Sequence, residues 1–218
     1  MTSIAVTFRE LKKLVEQGEG ARLEFKRKAA HPDKIMKEVV AFANTDGGTL
    51  VIGVDDNGTI PGVSALEEEE FVLEKAIEKY CYPAIAYSIE RVVLSDRAGV
   101  LLFHILPGTE KPYAVRNNLQ EEGGKAYVRV RDRSVQASRE VRQILRQQKK
   151  DKSFRFGFGD KEKALMQYLD LHQSITLSQF AQVAAIPRSI ASRTLVLLTL
   201  AGVLRIVPDE GEDHYRLT

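Results

Sequence analysis

The chain has 218 residues, of which 44% are hydrophobic and 28% are charged, a composition typical of a globular protein with one large or two modest domains. Its formal net charge of +2 is too small to indicate nucleic-acid binding without support from the distribution of the charges. No apolar run approaches the roughly 18 residues of a membrane span, and no secretory signal is recognisable, so we expect a cytoplasmic protein with no membrane partner.

The N-terminal segment predicts a short helix followed by a strand. Thr7 is a suitable N-cap for a helix that begins at Phe8. Residues 22–26 alternate apolar and polar side chains, which is the pattern of a half-buried strand with Glu24 and Lys26 on the same face.

A second helix and a second strand follow. An apolar helical stripe after Pro32 ends at Gly47-Gly48, and residues 49–54 form a strongly apolar strand. Residues 55–58 predict a turn, with residues 59–60 as the return strand of a hairpin. A phosphate-binding P-loop connects a strand to a helix, whereas this glycine pair connects a helix to a strand. We therefore predict a tight turn there and no nucleotide site.

The middle of the chain predicts two helices with strands between them. Residues 66–80 form an acidic amphipathic helix, and Ser138 caps a basic helix from Arg139 to about residue 150. The predicted strands are residues 86–94, 100–106 and 126–131. This mixture predicts an α+β fold in which helices pack on a mixed sheet.

Residues 149–159 break the periodicity and predict a linker between a first domain at residues 1–148 and a second at residues 160–218. The second domain predicts helices near 160–172, 176–184 and 188–201, followed by strands at 203–207 and 214–217. Three helices and a hairpin are consistent with a winged helix-turn-helix module.

In such a module the helix that begins at Arg188 would be the recognition helix. Arg188 and Arg193 could then contact bases or phosphates in a major groove. The hairpin carries four acidic residues between positions 209 and 213, which would oppose a phosphate backbone. Dimerisation or protein contact therefore stays open as the alternative role of this domain.

Basic residues are concentrated in three clusters, at residues 22–37, 125–133 and 139–155. These clusters are the part of the charge distribution that favours a nucleic-acid partner. The single cysteine, Cys81, excludes an internal disulfide and is predicted to be a buried structural thiol, and the four histidines show no zinc-binding spacing.

Three carboxylates, Glu19, Glu24 and Asp56, lie on or beside the first two strands, and Lys26 accompanies Glu24. Carboxylate oxygens bind Mg²⁺ or Mn²⁺, and such an ion can orient water and neutralise charge on a phosphodiester. Carboxylates at loop ends are more commonly solvated caps, so the spacing leaves both interpretations open.

Several segments together resemble the Schlafen AlbA-like domain. They are Leu23–Lys26, Ala43–Gly48, Leu50–Gly58 and Tyr127–Ser134, and the resemblance covers roughly residues 8–146. It implies an α+β nucleic-acid-binding domain, often described as DNA-binding. Many bacterial relatives continue into an ATPase module, whereas this chain continues into the helical segment, so the resemblance does not imply ATP hydrolysis.

The resemblance also implies a possible catalytic site, because some relatives cleave RNA with three carboxylates. Glu19, Glu24 and Asp56 correspond to those three positions. The relatives that cleave RNA carry two copies of the domain, and this chain carries one copy. A homodimer would be needed to supply the second half.

The sequence therefore predicts a protein that binds DNA or RNA, chiefly a DNA-binding transcriptional regulator without enzymatic activity. The predicted nucleic-acid contacts are Lys26, Arg27, Lys28, Arg129, Arg131, Arg133, Arg188 and Arg193. One alternative is an endoribonuclease that requires Mg²⁺ or Mn²⁺ and uses Glu19, Glu24 and Asp56 as metal ligands and catalytic residues. Another alternative is a protein-interaction scaffold. Outside the nuclease alternative we predict no cofactor.

Overall fold

The structure is a computed structural model that describes residues 7–116, 124–148 and 157–218. It divides into two compact units, Met1–Ser134 and Val135–Thr218. The boundary between the units precedes the helix Arg139–Gln147, so this helix belongs to the second unit, where it packs against another helix. Most of the predicted linker, at residues 149–156, lies outside the described residues.

The first unit contains three helices and most of the strands. In chain order, the elements through this unit are α1 (Phe8–Val15), β1 (Leu23–Lys26), α2 (Pro32–Asn44), β2 (Gly48–Ile52), α3 (Leu66–Tyr80), β3 (Cys81–Tyr82), β4 (Tyr87–Ser95), β5 (Ala98–Ile105), β6 (Ala114–Val115), β7 (Tyr127–Val130) and β8 (Arg133–Gln136). The division between the units falls within β8. A capping box between Thr7 and Glu10 begins α1, as the N-cap prediction requires.

Four strands form the main sheet in the order β1-β2-β5-β4. β1 and β2 are parallel and are connected through α2, whereas β5 is antiparallel to both β2 and β4. Two small two-stranded sheets accompany it, β3 with β6 and β7 with β8. The predicted α+β fold with a mixed sheet is therefore confirmed.

Both faces of the main sheet are buried, which explains the continuous apolar run of β2. Leu50 and Ile52 belong to the core cluster that includes residues of α2 and α3. Val51 belongs to a second cluster, which includes Leu11 and Val15 of α1. Neighbouring strand residues point to opposite faces, so β2 contributes to both clusters.

The structure differs from the sequence prediction after β2. Residues 55–58 do form the predicted turn, with the Gly58 amide donating to the Asp55 carbonyl at 2.8 Å. Thr59 and Ile60 form no strand. Their one backbone hydrogen bond to the other side of the predicted hairpin is that of the Thr59 carbonyl, which accepts from the Asp55 amide at 3.0 Å. The short strands β3, β6 and β8 were not predicted, since two to four residues carry little periodicity.

The second unit contains the helices α4 (Arg139–Gln147), α5 (Asp160–His172), α6 (Leu177–Val183) and α7 (Arg188–Leu200), with the strands β9 (Ile175–Thr176), β10 (Leu204–Val207) and β11 (His214–Leu217). The strands form an antiparallel sheet in the order β10-β11-β9. Phe180, Leu195 and Tyr215 are fully buried in its core cluster. Within the described parts of the chain, no single helix is long and apolar enough to cross a membrane; α6 and α7 reach that length only together, with a bend of 113°.

Candidate nucleic-acid interface

Among the described residues of the first unit, Arg129 on β7 has the largest set of polar partners. Its guanidinium donates to Glu24 at 3.0 Å, to Glu38 at 2.8 Å and to the Gly20 carbonyl at 2.7 Å. The same group lies 4.8 Å from the ring centroid of Phe42. Arg129 therefore connects β7 to β1, to the loop before β1 and to α2.

Two buried carboxylates depend on this guanidinium. Glu24 also accepts from Lys26, and Glu38 also accepts from the Ser134 hydroxyl. Burial is the main reason that the pKa of Glu24 is raised, and the neighbouring charge of Glu38 adds to it, although Lys26 and Arg129 oppose the shift. Buried ions are tolerated when they are paired and hydrogen-bonded, which is the case for Glu24 and Glu38.

The prediction that Arg129 contacts nucleic acid is contradicted by its position, because its side chain is only 1% exposed. Arg129 and its neighbour Val128 are both buried in β7, and Glu24 and Glu38 already use the donors of the Arg129 guanidinium. Glu38 was missed at the sequence level. The sequence does place this carboxylate in the middle of the apolar stripe of α2. A carboxylate buried at such a position requires a buried counter-charge.

The three predicted metal ligands have separate surroundings. Glu19 accepts from the Phe25 amide at 2.8 Å, and Glu24 belongs to the Arg129 network. Asp56 is exposed and lines a cavity of about 650 Å³ together with Lys12 of α1 and with Glu16, the residue that follows α1. Within residues 7–116, 124–148 and 157–218, no three His, Cys, Asp or Glu side chains are arranged to hold a metal ion. In this arrangement the three acids do not fit a divalent cation.

Two of the predicted basic clusters remain accessible in the first unit. Arg27 and Lys28 are exposed directly after β1, where Arg27 has a 3.6 Å contact with Asp55. Arg131 is exposed in the turn between β7 and β8, where it adopts a φ of 59°, and Arg133 is exposed at the start of β8. Lys26 is half-buried, and its ammonium donates to Glu24 and to the Phe25 carbonyl.

A buried amide that was missed at the sequence level holds the end of α2. The Asn44 side chain donates to the carbonyls of Tyr113 and Tyr127, each at 2.8 Å, and accepts from the Tyr113 amide at 2.7 Å. Its sequence signals were its place in the Ala43–Gly48 segment of the family resemblance and an amide at the end of an apolar stripe. Asn44 and Arg129 together attach the C-terminal segment of the first unit to α2 and β1.

In the second unit, the two predicted contact residues of α7 differ. Both are exposed, but Arg188 pairs with Glu212 at 3.1 Å and also donates to the Ser178 hydroxyl, whereas Arg193 has no ion-pair partner among the described residues. Glu212 in turn accepts from the Ser178 amide at 2.9 Å. Burial opposes ionisation of Glu212, but its hydrogen bonds from Ser178 and Thr176 and the charge of Arg188 outweigh burial and lower its pKa.

Comparison with known proteins assigns the first unit to a family. Residues 19–138 match the Schlafen, AlbA_2 family, which is more than half of the chain. The chain belongs to the Schlafen, AlbA_2 family. Membership in this family indicates a nucleic-acid-binding domain, and Arg129, Glu24 and Glu38 all lie within the Schlafen, AlbA_2 segment.

The solved structures that are similar to this chain include the following two. The DIP2311 protein from Corynebacterium diphtheriae shares 18% identity with a TM-score of 0.44, over 74% of this chain and 36% of its own. The N-terminal domain of an ATP-dependent DNA helicase RecG-related protein from Nitrosomonas europaea shares 26% identity with a TM-score of 0.41, over 60% of this chain and 90% of its own. This chain thus spans about a third of the DIP2311 protein. No curated protein matches the sequence.

Proposed function

We propose that the chain is a DNA-binding transcriptional regulator in which the Schlafen, AlbA_2 domain supplies the phosphate contacts. The observation that carries the proposal is the Arg129 anchor, which attaches β7 beside the start of β1. The exposed Arg131 and Arg133 follow Arg129 directly in the chain, and Arg27 and Lys28 follow β1. Exposed cations on adjoining segments are the residues that bind a phosphate backbone.

We further propose that the second unit is a winged helix-turn-helix module. Its support is the pair α6 and α7, which are separated by four residues and bent by 113°, within the range of helix-turn-helix pairs. Ala185 adopts a φ of 50° in the connecting turn, and the hairpin of β10 and β11 follows α7. In this arrangement Arg193 is the exposed cation of the recognition helix without an ion-pair partner among the described residues, whereas Arg188 is exposed and paired with Glu212.

The proposal is tested by fluorescence anisotropy with labelled duplex DNA and with RNA across a series of salt concentrations. Each phosphate contact contributes a slope of about −0.9 to the dependence of log affinity on log salt for duplex DNA. With four exposed cations in the first unit engaged, we expect a slope of about −3 to −4. Binding that is independent of salt would contradict the proposed phosphate surface.

A charge-matched pair of variants assigns the contacts to the β7–β8 turn. Arg131→Gln/Arg133→Gln should weaken binding and reduce the magnitude of the salt slope by about 2, which corresponds to two lost phosphate contacts. Lys79→Gln/Arg97→Gln removes the same charge from exposed positions of the first unit and should leave the slope nearly unchanged. Equal effects of the two double variants would show that only net charge matters.

The two alternatives are separated in the same preparation. Incubating RNA and DNA with Mg²⁺ or Mn²⁺ tests the endoribonuclease, for which Asp56→Ala should abolish any cleavage that depends on the three predicted acids. No described contact favours this alternative, since Glu24 is paired with Arg129. Absence of binding to every duplex and RNA at low salt would favour the protein-interaction scaffold.

A further inference from the structure

A second basic feature of the first unit lies outside the predicted contact residues. A cavity of about 300 Å³ opens between the first turns of α2 and the strands β6 and β7. Its lining residues are Asp33, Lys34, Lys37, Val115, Lys125 and Tyr127. A volume of this size is at the lower end of the range for small-ligand pockets.

Three separate segments bring the lysines of this pocket together. Lys34 and Lys37 are three residues apart on α2 and therefore lie on one helix face. Lys125 is held opposite by a two-way backbone pairing with Val115, in which both hydrogen bonds are 2.8 Å long. The Asn44 bond to the Tyr127 carbonyl fixes the remaining wall against α2. The pocket is therefore built by tertiary contacts and not by one flexible loop.

The charges in the pocket are not balanced by the described residues. Three lysines and one carboxylate, that of Asp33, line the pocket, so its lining residues carry a formal net charge of +2. Lys37 lies 3.5 Å from the Glu38 carboxylate, but Glu38 is already bound by Arg129. Neither Lys34 nor Lys125 has an ion-pair partner in the described part of the chain. Lysines that line one pocket repel one another, and an anion bound between them relieves that repulsion.

The net charge of the pocket indicates which class of anion it would bind. A phosphate monoester carries about −1.5 to −2 at pH 7, which matches this pocket, whereas each internal phosphodiester of a strand carries about −1. Lysine ammonium groups donate to phosphate oxygens, and the start of α2 adds a partial positive charge. From these observations we infer that the pocket binds the terminal phosphate of a nucleic-acid strand. This inference rests on the proposed nucleic-acid binding.

The test compares oligonucleotides of one sequence that carry either a terminal phosphate or a terminal hydroxyl, with the fluorophore attached internally. Binding is measured by anisotropy at constant ionic strength. We expect the phosphorylated strand, at its 5′ or its 3′ end, to bind about fivefold to tenfold more tightly, since two or three partly exposed charged hydrogen bonds are gained. Inorganic phosphate, with chloride as the ionic-strength control, should reduce this preference.

Variants assign the preference to the pocket. Lys34→Gln/Lys125→Gln should bring the ratio of the two affinities close to one while hydroxyl-ended strands still bind. Lys79→Gln/Lys163→Gln removes two exposed lysines elsewhere and should retain the full preference. Loss of the preference in the second double variant as well would overturn the assignment to the pocket.

Failure of the inference is distinguishable from failure of the proposed function. Equal, salt-dependent binding of phosphorylated and hydroxyl-ended strands overturns the pocket and leaves nucleic-acid binding intact. No binding of either strand at low salt overturns the proposed function and the inference together. A nucleoside 5′-monophosphate that binds as tightly as the phosphorylated strand also overturns the inference, because the ligand would then be a free nucleotide.

Discussion

Replacing Arg129 by methionine should destabilise the first unit strongly. The side chain is 1% exposed, and its removal leaves Glu24 and Glu38 buried without the cation that bridges them. Breaking a buried ion pair on one side typically costs about 3–5 kcal/mol. Lys26 and Ser134 retain their bonds to the two carboxylates, so we expect the lower end, about 3 kcal/mol.

Urea unfolding measures this loss. With a slope of about 2 kcal/mol per molar urea, a loss of about 3 kcal/mol lowers the midpoint by about 1.5 M. The chain has seven tyrosines and no tryptophan, so far-ultraviolet circular dichroism and tyrosine fluorescence are the suitable probes. Arg133→Met is the matched control, because Arg133 is exposed near the same turn, and its change should stay within about 0.5 kcal/mol.

The pH dependence gives an independent check. The pKa of Glu24 is raised in the folded protein, so its contribution to stability is fully present below the unfolded value of 4.5 and is lost as pH rises through the folded value. Removing the Arg129 charge raises the pKa of Glu24 further. The deficit of Arg129→Met relative to the wild type should therefore be largest at pH 7 and shrink on acidification.

A second substitution tests whether the carboxylate of Glu24 causes the loss of stability in Arg129→Met. Adding Glu24→Gln to Arg129→Met removes a buried carboxylate that has lost the Arg129 cation and should recover about 1 kcal/mol or more at pH 7. A single Arg129→Met variant that unfolds within about 0.5 kcal/mol of the wild type would refute the argument. So would a double variant that is no more stable than the single one.

Three further outcomes follow from other contacts. Asn44→Ala removes one hydrogen bond from each of two carbonyls and one from the buried Tyr113 amide, and should lower the free energy of unfolding by about 2–3 kcal/mol in urea titrations, whereas Asn44→Asp should not restore it. Burial raises the pKa of Cys81 to about 12, so iodoacetamide should label the thiol at pH 8 only after unfolding, as mass spectrometry would detect. Glu212→Gln should destabilise the second unit by about 1 kcal/mol at pH 7, measured by hydrogen exchange in α6. Because the pKa of Glu212 is lowered in the folded protein, the difference in stability between Glu212→Gln and the wild type should disappear as pH falls below 4.5. The same substitution removes the ion pair of Arg188 and should therefore increase affinity for duplex DNA.

The elements with strong local signals were predictable from the sequence. Thr7 begins α1 through its capping box, and α3 occupies residues 66–80 as its amphipathic pattern predicts. The pairs β3 with β6 and β7 with β8 were not foreseen in full, because each contains a strand of two to four residues. Strands of that length are defined by their partners and not by their own periodicity.

The chemistry of the candidate site was less predictable. Alternation along β1 placed Glu24 and Lys26 on one face correctly, but it could not show that this face is covered by Arg129 and α2. Arg129 itself looks like its neighbours Arg131 and Arg133 in sequence. Its counter-charge Glu38 lies 91 positions earlier, and no local pattern reports a contact across that distance.

The Arg129 bridge also has a consequence for the order in which the chain folds during synthesis. β1 and α2 leave the ribosome about a hundred residues before Arg129, since the bonds to Glu24 and Glu38 span 105 and 91 positions. Until then the nascent domain carries two carboxylates destined for burial without their cation, so its native packing is unfavourable. We expect the first unit to stay open until β7 emerges and to be a client of chaperones over that interval.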